Sequence, residues 1–202
     1  MKKFLSVLMI TLTCVAFGQP EKKDKEPKMA PVLAKGYYLN PKGDTVKGEV
    51  QTNYDNELDI YKGFNFRVPG TTKVVAISSK KAKGYGYEGH HFVLFPYDSQ
   101  SEVYLEQLVS GRLNFFEFKF NETKEGRPVI SSKYYIQDTK ADEKEKEMRE
   151  LKAISTKFYK KDLKPYMKEQ PVTWNDLDKF TFNKEAVINA IKEFNKYYEG
   201  PQ

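Results

Sequence analysis

His90 and His91 are the only histidines of the chain, and they are adjacent. Imidazole is the side chain best suited to proton transfer or metal ligation near neutral pH. Chemistry of that kind must pass through this dipeptide or do without histidine. His91-Phe92-Val93-Leu94-Phe95 reads as a strand that Pro96 stops. Neighbours on a strand point to opposite faces, so the two rings cannot close on one metal ion. No spacing of acidic residues or cysteines supplies further ligands. The pattern predicts one histidine buried and one exposed, no metal and no catalytic residue. The competing chemistry is a hydrolase of envelope polymers, with His90 or His91 as base for a distant hydroxyl and carboxylate.

Just before the histidines, Gly84-Tyr85-Gly86-Tyr87-Glu88-Gly89 has the G-x-G-x-x-G spacing of a dinucleotide loop. That loop works when a helix opens behind it and presents its N-terminus to a pyrophosphate. Here a strand follows, which argues for a glycine-rich turn between strands and for no cofactor. Tyr85, Tyr87, Phe92 and Tyr97 gather around the histidines. Aromatics beside polar groups suit stacking on sugars or docking of a peptide, and they equally suit cross-strand pairs in a sheet. Tyr85, Tyr87, His90, His91, Phe92 and Tyr97 are therefore the candidate ligand-binding residues. No H-E-x-x-H, G-x-S-x-G, Walker or EF-hand motif is present, and the carboxylates are too scattered to nominate a glycosidase pair. Asn121-Glu122-Thr123 fits a glycosylation sequon of low specificity.

The N-terminus carries compartment information. Lys2-Lys3 precedes an apolar stretch from Phe4 to Phe17, and Ala16-Phe17-Gly18 ends it with small residues at the −3 and −1 positions. This is the pattern of a secretory signal peptide cut between Gly18 and Gln19. The run is short for a membrane span. The alternative is lipidation at Cys14, for which Thr11 and Thr13 make a poor context. Cleavage would remove Cys14, the sole cysteine, and leave no disulfide. Gln19 to about residue 33 is charged and without apolar period, as in a disordered linker.

The formal net charge is +6, and the leader accounts for two of those charges through Lys2 and Lys3. Lysines alternate with glutamates, and no arginine-rich stripe with interleaved aromatics appears, so no nucleic-acid partner is expected. Tyrosine and phenylalanine number 14 each, which favours strands and large contact surfaces.

The elements that must position these residues change period along the chain. From residue 34 to 137 the pattern is β. Lys35–Leu39 leads through the turn Asn40-Pro41-Lys42-Gly43-Asp44 to alternating Val46, Gly48 and Val50. Leu58, Ile60, Phe64, Phe66 and Val68 share a parity, and Lys73–Ser78 is a buried run. Glu102–Val109 and Leu113–Phe120 flank Ser110-Gly111-Arg112 as a hairpin, and Val129–Ile136 follows. Phe116, Phe118 and Phe120 alternate with Leu113 and Phe115, so both faces of that strand carry apolar mass. From 141 to 199 the period becomes helical. Met148, Leu151, Ile154 and Phe158 have helical spacing, and Asp142 and Glu145 stand four before Lys146 and Arg149. Asp162 and Thr173 are candidate caps. Asn183 heads a helix whose stripe is Val187, Ala190, Ile191, Phe194 and Tyr198. The expectation is an α+β domain over 34–202, an N-terminal antiparallel β-meander or partial barrel with a C-terminal helical segment packed on it.

Gly36-Tyr37-Tyr38 leading to Lys42-Gly43-Asp44-Thr45-Val46-Lys47-Gly48-Glu49-Val50 resembles the opening of uncharacterised exported proteins of the Bacteroidota. Lys83–Tyr87, Leu108–Leu113 and the Phe158–Pro171 segment are similar as well, so the likeness spans roughly residues 35 to 198. It implies an exported protein, periplasmic or associated with the outer membrane, and supplies no activity or site. Function is accordingly read as a non-enzymatic envelope module whose aromatic-rich sheet binds a glycan, lipid or protein, with room for peripheral membrane association. A small barrel holding an apolar ligand against Phe116 and Phe118 is the other binding alternative.

Overall fold

Turn chemistry lays out the first two-thirds of the chain. The computed structural model describes residues 30–141, 149–175, 177 and 181–199; the expected leader, most of the expected linker and the Asp142-to-Lys146 pair lie outside these. Strands β1 (Leu33–Leu39) and β2 (Thr45–Gln51) are joined by the predicted turn. There Asn40 Oδ1 accepts from the amides of Lys42 and Asp44, each at 2.9 Å. A 3-10 turn at Glu57–Tyr61 follows, capped by Asn56, then β3 (Gly63–Arg67) and β4 (Val74–Ser78). Strands β5 (Gly84–Tyr87) and β6 (His90–Pro96) form a hairpin through Glu88-Gly89. Both of those residues have positive φ, the pattern of a two-residue hairpin turn. Then come β7 (Glu102–Val109), β8 (Leu113–Lys124), β9 (Arg127–Asp138) and β10 (Lys152–Ile154).

All pairings are antiparallel, in one open ten-stranded sheet of order β10-β9-β8-β7-β6-β5-β1-β2-β3-β4. It consists of two meanders, β1–β4 and β5–β10, joined where β1 pairs with β5. The glycine-rich segment is thus part strand and part turn: Gly84–Tyr87 is β5, and Glu88-Gly89 makes the expected turn between strands. Its glycines permit the junction, because a Cβ on Gly36 would collide with the Gly86 carbonyl.

The sheet is sharply curled. In the order above, β3 lies three strands from β5, about 14 Å at ordinary strand spacing. Phe64 of β3 nevertheless stacks on Tyr85 of β5 with ring centroids 4.2 Å apart. Strand β7 helps to turn the corner. It pairs with β6 from Glu102 to Glu106 and with β8 at Glu106, Gln107 and Val109, with a bulge between the last two. Tyr61 reaches both Phe92 and Phe118 at this seam.

Helices α1 (Tyr159–Met167), α2 (Pro171–Asn175) and α3 (Lys184–Glu199) cover the other end of the sheet. Asn183 caps α3 as expected, accepting from the Ala186 amide at 3.0 Å. Val187, Ile191 and Phe194 of its stripe are fully buried against Leu113, Phe115 and Ile136. Two expectations are corrected. The spacing of Leu151 and Ile154 suggests a helix, but Lys152–Ile154 is strand β10, paired with Tyr134–Ile136. The open edge of β9 offers backbone partners there, and pairing overrides local period. The β part therefore extends beyond 137, and the helices begin at Tyr159. Asp162 and Thr173 lie inside α1 and α2 instead of capping them; Asp162 accepts from the Ser155 amide at 2.9 Å.

Arg112 fastens helices to sheet. It donates to Asp138, which is buried, and to Glu169 at 3.0 Å, with its guanidinium 4.2 Å above the Tyr198 ring. Glu169 also accepts from the Tyr198 hydroxyl. Donation by Arg112, then by Tyr198, holds the Glu169 carboxyl below its ordinary pKa. The stability it adds is therefore present at neutral pH and is lost as pH falls from about 4.3, the ordinary glutamate value, through the depressed one. Glu169→Gln should lower the melting temperature at pH 7, and the gap to wild type should shrink as pH falls below about 4.3. A gap unchanged over that range contradicts the ion-pair role.

Candidate functional site

The sequence-derived candidates do not gather into one site. Tyr85 and Phe92 are core residues with ring centroids 4.6 Å apart, 1% and 2% exposed. Tyr87 stacks at their edge and contacts the His90 ring. Tyr97 stands apart, 46% exposed, tilted against Phe118.

The histidines take opposite faces of β6, as strand geometry requires. His90 Nδ1 lies 2.7 Å from Glu106 Oε1, and His91 Nδ1 lies 2.8 Å from the Tyr37 hydroxyl. Both are exposed, which corrects the expectation of one buried ring. They begin β6 beside its hairpin turn, where the sheet has little to cover them. One histidine thus has a carboxylate and the other a hydroxyl. Among the described residues no hydrogen bond joins the two pairs into a nucleophilic triad, and no group of three or more His, Cys, Asp or Glu is placed to hold a metal ion. His90→Ala and His91→Ala should each retain folding and partner binding, with stability changes within about 0.5 kcal/mol for exposed positions. Loss of function in either variant at unchanged melting temperature would favour the hydrolase reading.

A polar cluster lies behind His90. Glu106 and Glu117 face each other across β7 and β8. Glu117, 2% exposed, accepts from Ser132 at 2.6 Å and Tyr134 at 3.2 Å and pairs with Lys184 at 3.3 Å. Its acceptor capacity is taken up by the fold, and α3 closes over it, so it binds the first turn of α3 to the sheet and is not open to substrate.

The feature best suited to ligand binding is a cleft of about 720 Å³ on the opposite face from Glu117. Register explains its floor. Phe95 pairs with Val103, Val93 with Leu105, and Gln107 with Phe116, which pairs with Tyr135. These residues therefore share a face. Phe95, Val103, Leu105 and Tyr135 line the cleft, and Leu151, ahead of β10, walls it. Tyr97, Lys133, Gln137, Arg149 and Glu150 form the polar rim. The Lys133 ammonium sits 4.8 Å from the Phe120 centroid and 5.8 Å from that of Tyr97. Gln137 donates to the Arg149 carbonyl at 2.8 Å, which fixes the wall. Burial raises the pKa of the Tyr135 hydroxyl, so it remains a neutral donor. Phe116 and Phe118 pack against Phe95, Tyr61 and Tyr97 as support for the floor.

Of the sequence candidates, only Tyr97 lines this cleft. Lys133, Tyr135 and Gln137 share a parity on β9, a signal present in the sequence. Their meeting with Phe95, Val103 and Leu105 depends on the curl. Comparison of the chain with family models, curated proteins and solved structures finds no match.

Proposed function

We propose that the chain is an exported envelope protein that acts by binding, not by catalysis, and that the cleft between β6–β7 and β9–β10 is where its ligand sits. The observation that carries this is the pairing of an apolar, aromatic floor with a polar rim in which Lys133 and Arg149 outnumber Glu150. Such sites hold a ligand by burying its apolar body and fix its orientation with a few polar groups. Among envelope glycans, lipids and proteins, the site favours a molecule with an apolar or ring-bearing body and an acidic group. The leader pattern supports export.

A hydrolase is the second reading, and the His90–Glu106 pair is the observation that favours it. It has a base and an orienting carboxylate, and among the described residues no hydroxyl is hydrogen-bonded to the His90 ring. The test is capture from native envelope extract with wild type and the surface variants Tyr97→Ser and Lys133→Glu, read separately for lipid, glycan and protein. One class should be retained by wild type and reduced at least tenfold by Lys133→Glu at equal melting temperature. Equal capture by all three proteins, or turnover of a polymer that His90→Ala abolishes, contradicts the binding reading.

A further inference from the structure

We propose that the surface formed by the start of α1 and by α2 docks on an anionic phospholipid bilayer. It uses other residues than the cleft, so either reading can fail without the other.

Residues 157–164 supply Lys157, Phe158, Lys160, Lys161 and Lys164. Helix α1 buries Tyr159, Leu163, Tyr166 and Met167 against the core, which turns Lys161 and Lys164 outward. Together with Trp174 these side chains line a second cleft, of about 550 Å³, and no carboxylate is among its described lining residues. The floor is rigid. Trp174 donates its indole N–H to the Lys160 carbonyl at 2.8 Å, and the Lys160 ammonium donates to the Leu177 carbonyl at 2.7 Å while lying over the Trp174 ring. Asp162, the acidic residue within α1, is turned to the Ser155 amide. Lys157, Lys161 and Lys164 thus have no ion-pair partner among the described residues.

Charge complementarity calls for a polyanion, and Phe158 selects which kind. It is 56% exposed at the mouth of the cleft, with the Lys157 ammonium 5.3 Å from its ring centroid. A soluble polysulfate or polyphosphate offers this ring little apolar contact. An anionic bilayer offers both phosphates for the lysines and hydrocarbon for the ring, the combination found on interfacial helices.

The test is vesicle co-sedimentation of the protein and its variants, all with the same N-terminus, so that any contribution from that segment cancels. Binding is expected to vesicles containing phosphatidylglycerol, not to pure phosphatidylcholine, and to weaken with salt. The pair Lys161→Gln and Lys164→Gln should weaken it about 25-fold, at roughly fivefold for each lysine. Phe158→Ser should weaken it about tenfold while leaving any binding of dextran sulfate unchanged. Lys196→Gln, an exposed lysine on α3, should have no effect. Equal binding by all variants overturns the proposal, as does an equal loss from Lys196→Gln. A preference for dextran sulfate that is indifferent to Phe158 also overturns it and marks the surface as a soluble-polyanion site.

Discussion

Replacing Tyr85 with alanine is expected to cost about 3–5 kcal/mol of folding stability, the range for deleting a buried aromatic ring. Tyr85 lies at the centre of the N-terminal core. Its ring is stacked between Phe64 at 4.2 Å and Phe92 at 4.6 Å and meets Tyr104 edge-on at 5.1 Å. Phe92 is its direct cross-strand partner and Tyr104 lies one strand further, whereas Phe64 comes from β3, which only the curl brings near, so the Phe64–Tyr85 stack helps to hold the curl closed. Its hydroxyl donates to the Ile60 carbonyl at 2.6 Å and ties the 3-10 turn to the sheet. Tyr85→Phe removes that bond alone and should cost about 1 kcal/mol. Urea unfolding of the two variants separates the contributions. A loss below about 1 kcal/mol for Tyr85→Ala would mean the ring is not core, and would return it to the list of ligand contacts.

The second large effect is expected at Asn195. This residue of α3, 4% exposed, spans the backbone of Leu113, accepting from its amide at 2.8 Å and donating to its carbonyl at 2.9 Å. Leu113 is fully buried, so no water replaces either bond. Asn195→Leu keeps the volume and orphans both groups, for a cost of about 2–4 kcal/mol. Gly111 completes the arrangement. Its φ is +157°, and a Cβ there would come within 2.6 Å of Asn195 Cγ, so Gly111→Ala should also be destabilising. Thermal melts and hydrogen exchange at Leu113 check both. Unchanged protection of the Leu113 amide in Asn195→Leu would show that α3 is not what holds the β7–β8 hairpin.

These two positions show what was legible in the sequence. Ser110-Gly111-Arg112 announced a hairpin, and Asn183 with the stripe from Val187 to Tyr198 announced a helix, because each signal is local. The apolar residues on both sides of β8 announced a sheet loaded on both faces, which the helices and the curl explain. That Asn195 would clamp Leu113, 82 residues away in sequence, depends on tertiary docking and leaves no local trace. The same holds for β10. Leu151 and Ile154 keep a helical spacing, and only the presence of the β9 edge makes a strand the better use of Lys152–Ile154. The candidate site was the least legible part. Aromatic clustering picked out Tyr85 and Phe92, which are core, because composition does not tell the inner from the outer side of a curled sheet. Tyr97 belongs both to the sequence candidates and to the cleft lining, whereas Lys133 and Tyr135 carry no local signal that ties them to it, because the cleft joins strands on either side of β8.

The central claim is that the cleft lined by Phe95, Val103, Leu105 and Tyr135 receives an acidic ligand with an apolar body. The most direct measurement is a two-dimensional NMR titration of the folded protein with 1-anilinonaphthalene-8-sulfonate, an aromatic anion of that description. Saturable shifts should be confined to amides around Val103, Leu105, Lys133 and Tyr135, and Lys133→Glu should abolish them without disturbing the rest of the spectrum. Shifts centred elsewhere on the sheet, or the same shifts in Lys133→Glu, would contradict the assignment of this cleft as the ligand site.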